Sequence, residues 1–183
     1  MKILGLINKD SGPGFHRIMQ PLLMMPNMDC YITNVINEHV IATKRPDIVY
    51  YNRFVNEDVF KFRDKYGYKI VVDVDDYWHL DVHHIAYEQY RDNGVSDIQI
   101  EHLRNADLIT TTHERLAEAI HPYNTNILIT PNAIPKNDYF KLEPIFIPVV
   151  RLFYQGSITH EADVNLLRGP LKRINAVKII SGH

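Results

Sequence analysis

Residues 69–76 read Lys69-Ile70-Val71-Val72-Asp73-Val74-Asp75-Asp76. The apolar residues run consecutively instead of alternating, which is the pattern of a strand covered on both faces, and such strands belong to parallel sheets flanked by helices. The carboxylates come at the end of the run, and open parallel sheets place their ligands beyond that end of their strands. Outward from this stretch, short apolar runs recur at Lys2–Asn8, Cys30–Val35, Asp47–Asn52, Asp107–Thr111 and Asn126–Thr130. Amphipathic stretches separate them at Phe15–Met25, Asn56–Tyr66, Val82–Asp92, Asp97–Asn105 and His113–His121. The alternation predicts an α/β fold, a Rossmann-like parallel sheet flanked by helices. Ser96 and Gln99 have capping-box spacing, and Thr112 is placed to cap a helix starting at His113.

The texture changes after Asn132. Residues 131–148 hold four prolines, Pro131, Pro135, Pro144 and Pro148, with little periodicity, as a linker would. The expected division is therefore a Rossmann-like domain over 1–134, a linker over 135–148, and the start of a second Rossmann-like domain over 149–183. That last part offers a strand at Val149–Tyr154, a Gly-Ser turn, a helix near His160–Arg168 and a final apolar run at Val177–Ile180. Gly169-Pro170 is expected to shorten the helix.

The chain has 183 residues, 45% hydrophobic and 23% charged, with a formal net charge of −2, so nothing in the balance points to nucleic acid. A single cysteine, Cys30, excludes an intrachain disulfide and any multi-cysteine zinc site, which favours a reducing, cytoplasmic setting. No apolar run approaches the roughly 18 residues of a membrane span, so membrane contact, if any, is expected to be peripheral.

Several residues can carry chemistry. Gly12 and Gly14 follow the first strand and open a helix, where backbone can approach an anion closely. His16 and Arg17, just inside that helix, offer a proton donor and a fixed positive charge. A tight turn explains the glycines equally well. Asp73, Asp75 and Asp76 can serve as base or hydrogen-bond acceptors, or hold a hard metal, although a DxD is a short and common metal signal. His113 opens a helix directly after a strand and can act as general base, or pair with a phosphate when charged. His79 and His83 have metal-ligand spacing only if helical, and surface or packing roles suit them better. Tyr50, Tyr51, Asn52, Arg53 and Trp78 suit either sugar stacking and phosphate anchoring or plain packing.

Four stretches taken in order resemble the N-terminal half of a GT-B glycosyltransferase, of the retaining group 1 (family 4-like) kind. They are SGPGFHRIMQP (11–21), IVVDVDDYWHL (70–80), LRNADLITTTHERLAEAI with NILITPNAI (103–134), and FYQGSITHEADVNLL (153–167). The resemblance implies transfer of a sugar from a nucleotide-sugar to a sugar or lipid-linked acceptor, without an essential metal or other cofactor. It implies that 1–134 is the acceptor-side domain, that Asp75, Asp76 and His113 lie at the transfer site, and that Gly12, Gly14, His16, Arg17 and Asn132 lie near substrate. Gly156, Ser157 and His160 would face the donor diphosphate. Such enzymes continue well beyond the equivalent of His183, so the resemblance also implies a truncated form, or a partner supplying the rest of the donor domain.

Two other readings stand beside it. One is a non-catalytic remnant or module that binds a glycan or acceptor. The other is a haloacid-dehalogenase-like phosphotransferase with Asp73 as nucleophile, in which Tyr77 would stand where that motif wants Thr or Val.

Overall fold

A computed structural model describes residues 1–7, 12–56, 58–133, 149–156 and 161–181. Its described residues fall into two compact units, one of 1–79 with 90–133 and one joining 80–89 to the C-terminal stretch. The expected linker 135–148, with Ser157 and His160, lies outside the described residues.

The first unit is built on six strands: β1 (Lys2–Leu6), β2 (Asp29–Thr33), β3 (Ile48–Asn52), β4 (Lys69–Val74), β5 (Leu108–Thr111) and β6 (Ile127–Ile129). They form one sheet in the order β2-β1-β3-β4-β5-β6, and every neighbouring pair is parallel. The Rossmann-like α/β expectation is met. In this doubly wound order the connections reverse direction between β1 and β3, and ligands bind beyond the strand ends near such a switch point.

The helices are α1 (a π-helical turn, Gly14–Met19, running into Gln20–Leu23), α2 (Glu38–Lys44), α3 (Asp58–Tyr66), α4 (Tyr87–Asp92), α5 (Val95–Asn105) and α6 (Glu114–Ile120). α2 lies between two expected strands, where the sequence reading assigned no element, and Asn37 caps it by accepting from the Val40 amide at 2.9 Å. α4 begins later than the expected Val82, because turns occupy 82–86. That also leaves His79 and His83 without a helix to align them.

Two caps differ from expectation. α6 begins at Glu114, and its cap is the His113 side chain, not Thr112. α5 begins after Gly94, which takes a left-handed φ of 59° open to glycine at little cost. Ser96 therefore falls inside the helix and donates to the Trp78 carbonyl at 2.7 Å, while Gln99 turns into the core, so no capping box forms.

The two faces of the sheet are unequally covered. One carries the main core, with Leu4, Val49, Tyr51, Ile70, Val72, Val74 and Ile109 under side chains of α2, α3, α5 and α6. The other is closed over β1 by α1 through Ile3, Ile18 and Leu22. Gly5 makes that closure possible, since a Cβ there would lie 2.5 Å from Leu22 Cδ1 and 3.2 Å from Ile18 Cγ2. Gly5→Val is accordingly expected to cost roughly 2 kcal/mol through overpacking. Urea unfolding would measure it, and an unchanged midpoint would mean that α1 can slide away freely.

The main core also encloses a histidine. The His102 ring has no exposed surface, lies 2.7 Å from the Tyr51 hydroxyl through Nδ1, and packs against Tyr51 and Phe60 with centroids at 5.4 and 4.8 Å. Burial pushes its pKa down to about 4. Trp78 is buried as well, edge-on to Tyr123, which makes it a packing residue.

In the second unit, β7 (Arg151–Gln155) and β8 (Val177–Ser181) form a parallel pair joined through α7 (Glu161–Arg173). α7 does not stop at Gly169-Pro170 as expected but runs through to Arg173. Pro170 removes one helical hydrogen bond at an exposed turn, where water can take its place.

Candidate functional site

Helix α1 delivers the central residue of the site. Its π-helical turn spans Gly14–Met19, and π turns widen a helix where a side chain must be re-aimed. Pro21 has no N–H to offer the Arg17 carbonyl four residues back. That carbonyl accepts instead from the Tyr50 hydroxyl of β3 at 3.2 Å, which fixes α1 over the sheet. Gly14 is buried within this turn, so a bulky replacement would disturb packing before reaching any ligand. Gly12 is exposed, with open space where a Cβ would stand. His16 is exposed and lies 3.3 Å from Gln20 Oε1.

The Arg17 guanidinium is buried and paired with Asp73 of β4. Nε donates to both Asp73 oxygens at 3.1–3.2 Å, and Nη2 donates to Oδ1 at 2.6 Å. Nη1 donates to the Thr130 carbonyl at 2.7 Å and to Asn132 Oδ1 at 3.2 Å, while Nη2 also reaches Thr130 Oγ1 at 2.8 Å. A guanidinium carries five N–H groups, and each has an acceptor here. Burial alone would pull its pKa down, but the hydrogen bonds and charge of Asp73 outweigh this and hold it above the ordinary value. Asp73 has no exposed surface and accepts further from Thr110 Oγ1 at 2.6 Å and Asn52 Nδ2 at 3.0 Å. Tyr50 completes the cluster, its hydroxyl pushed up to about 12 by burial and then by the Asp73 charge.

Arg53 leads outward from this buried layer. Its φ of 62° is left-handed, which for a residue with a side chain costs about 1–2 kcal/mol. Its amide donates to the Asp73 carbonyl at 2.8 Å, and its side chain pairs with Asp75 at 3.3 Å and with Asp76. Asn52 Nδ2 also donates to Asp75 Oδ1 at 3.0 Å. Beyond these ion pairs, Asp75, Asp76 and Tyr77 meet His113, Arg115, Leu116 and Ala119 around a pocket of about 510 Å³. Asp76 and Tyr77 are mostly exposed, and the Tyr77 ring lies 5.0 Å from Trp78 and 5.4 Å from His79 between centroids.

His113 Nδ1 accepts from the Leu116 amide at 3.3 Å. A neutral ring used this way carries its proton on Nε2. The ring thus caps its own helix, a role the sequence did not assign to it. His113→Ala is expected to cost about 1 kcal/mol through loss of the cap. Thermal unfolding would check this, and a gain in stability would refute the cap.

Of the residues singled out in the sequence, the structure gathers Asp75, Asp76 and His113 around one pocket and Arg17 in the buried layer beside it, where the exposed Asn132 is one of its acceptors. Gly12, Gly14 and His16 do not line the pocket. Gly156, in the second unit, donates its amide to the Ser181 carbonyl at 3.2 Å, and the space a Cβ would take is closed by the Tyr154 hydroxyl at 2.7 Å. Sequence reasoning passed over Thr110, Thr130 and Arg115. A polar residue ending each apolar strand was the available signal for the two threonines. Among the described residues no group of three or more carboxylates, histidines or cysteines could hold a metal ion, and no helix is long and apolar enough to cross a membrane. Asp73, enclosed and fully hydrogen-bonded, has no open face for attack on a phosphoryl group, which argues against the phosphotransferase reading.

No protein-family model matches the chain, and no curated protein is significantly similar to it.

Proposed function

We propose that the first unit is the acceptor-side half of a GT-B-like glycosyltransferase, which moves a sugar from a nucleotide-sugar to a hydroxyl held in the Asp75–Asp76–His113 pocket. The observation that carries this reading is the pocket itself, at the carboxyl ends of β4 and β5, where doubly wound sheets bind ligands. In it the exposed Asp76 carboxylate takes the acceptor proton, His113 Nε2–H donates to a neighbouring hydroxyl, and Tyr77 offers an aromatic face to a sugar ring. A cytoplasmic setting and a partner chain carrying more of a donor domain belong to the same proposal.

One observation favours the second reading, a non-catalytic module that binds a glycan acceptor. Arg17 spends all five N–H groups inside the protein and so has no free cationic donor for a leaving diphosphate.

Titration with methyl glycosides and a panel of nucleotide-sugars, followed by amide NMR shifts and by sugar release, separates the two. Shifts at Tyr77, His113 and Leu116 with the glycosides, together with sugar release abolished by Asp76→Ala, support the transferase. Glycoside binding without nucleotide-sugar binding or release leaves the module. Binding of neither class overturns both.

A further inference from the structure

A second feature of the first unit lies away from this pocket, along the outer edge of the sheet. β6 ends the strand order, and among the described residues nothing pairs with its far side. The ladder to β5 uses the Asn126 carbonyl, which accepts from the Ile109 amide at 2.9 Å, and the Thr130 amide, which donates to the Thr111 carbonyl at 2.7 Å. Register pairs Ile109 with Ile127 and Thr111 with Ile129. In a parallel ladder alternate residues turn both backbone groups toward one neighbour. Asn126, Leu128 and Thr130 therefore face β5, and the N–H and C=O groups of Ile127 and Ile129 point to the open edge.

That edge borders a groove of about 540 Å³ between β6 and α6. Its base is apolar, with Ile127, Ile129, Ala117 and Pro122, and its α6 wall carries Glu114 and Glu118. These two carboxylates are four residues apart and so sit on one side of the helix. Natural proteins guard exposed edges with lysine, proline or bulges. β6 is Ile-Leu-Ile, and Leu128 is 51% exposed on the opposite face.

We propose that this edge and groove dock an extended segment of a partner protein, rich in aliphatic residues flanked by lysine or arginine, which adds to the sheet beside β6. Main-chain hydrogen bonds to Ile127 and Ile129 supply binding, alternate aliphatic side chains fill the groove, and flanking basic residues meet Glu114 and Glu118. The inference does not depend on the sugar-transfer reading, since none of these residues lines the pocket at Asp75 and His113.

The probe is the peptide Lys-Thr-Val-Thr-Val-Thr-Lys, whose valines and flanking lysines share one face, titrated into the full chain and followed by amide NMR and calorimetry. Binding is expected to shift the amides of Ile127 and Ile129. N-methylating one alternate set of peptide amides should weaken binding at least tenfold, whereas methylating the other set should leave it within about twofold, because a strand presents only one edge to its neighbour. Glu118→Lys, an exposed change that spares the fold, should weaken binding several-fold and flatten its salt dependence. Equal loss from both methylated sets would show attraction by charge alone and overturn strand addition. Absence of binding, or shifts confined to Tyr77 and His113, would overturn the docking site.

Discussion

Asp73→Ala is expected to destabilise the first unit by about 3–5 kcal/mol, a large part of the stability of an ordinary domain. The change removes a carboxylate that is wholly buried and leaves the Arg17 guanidinium buried without its counter-charge, with Thr110 and Asn52 deprived of an acceptor. The cost arises from those stranded groups more than from the lost attraction, so Arg17→Met should be damaging as well. The double variant Asp73→Leu with Arg17→Met should lose clearly less than the two single losses added together, because no charge is then left unmatched. Urea midpoints of the four proteins would measure the coupling. Losses below about 1 kcal/mol for each single change, or simple additivity, would show that water reaches the pair and that the buried layer is not closed.

The second large effect is on pH dependence. The folded protein holds His102 neutral, with a pKa of about 4 against an ordinary 6.5. The unfolded chain therefore binds this proton first as the medium is acidified. The stability that comes from a neutral His102 is present in full above pH 6.5 and is lost as pH falls from there through about 4. The slope approaches about 1.4 kcal/mol per pH unit, for a total on the order of 3 kcal/mol. Asp107 adds an acid loss of its own: burial opposes its charge, but Lys69 and the Ile70 amide hold its carboxyl below the ordinary value. Comparing the protein with His102→Gln cancels that part. Unfolding free energies measured from pH 7.5 to 4.5 should converge for the two proteins at the acid end. A constant gap between them would mean that His102 does not change charge on unfolding.

The sheet was legible in the sequence because burial on both faces writes a consecutive apolar run, and β4 was read to the residue. Edges were less legible: β6 shrinks from the expected Asn126–Thr130 to Ile127–Ile129, as its flanking polar residues turn toward β5 and the site. Helix α2 escaped notice because it is short and buries only Ile41, so its apolar periodicity is weak and the Asn37 cap is its main local signal. At the candidate site, the grouping of Asp75, Asp76 and His113 followed from their position after successive strands. The neutralisation of Arg17 did not, because pairing across 56 residues depends on the strand order and on a π turn that no local periodicity reveals. The role of His113 hid for a related reason: a side chain that caps its own helix reads the same in sequence as one free to take a proton.

The span of the Arg17 contacts bears on how the chain is made. Three of its five N–H groups end on Thr130 and Asn132, the farthest of them 115 residues downstream. During synthesis Asp73 leaves the ribosome long before those acceptors do. A nascent chain that already holds α1 against the first four strands still carries those three donors without their final partners. The sheet therefore closes only when β6 has been delivered, and chains arrested short of Thr130 should be the ones that proteases find.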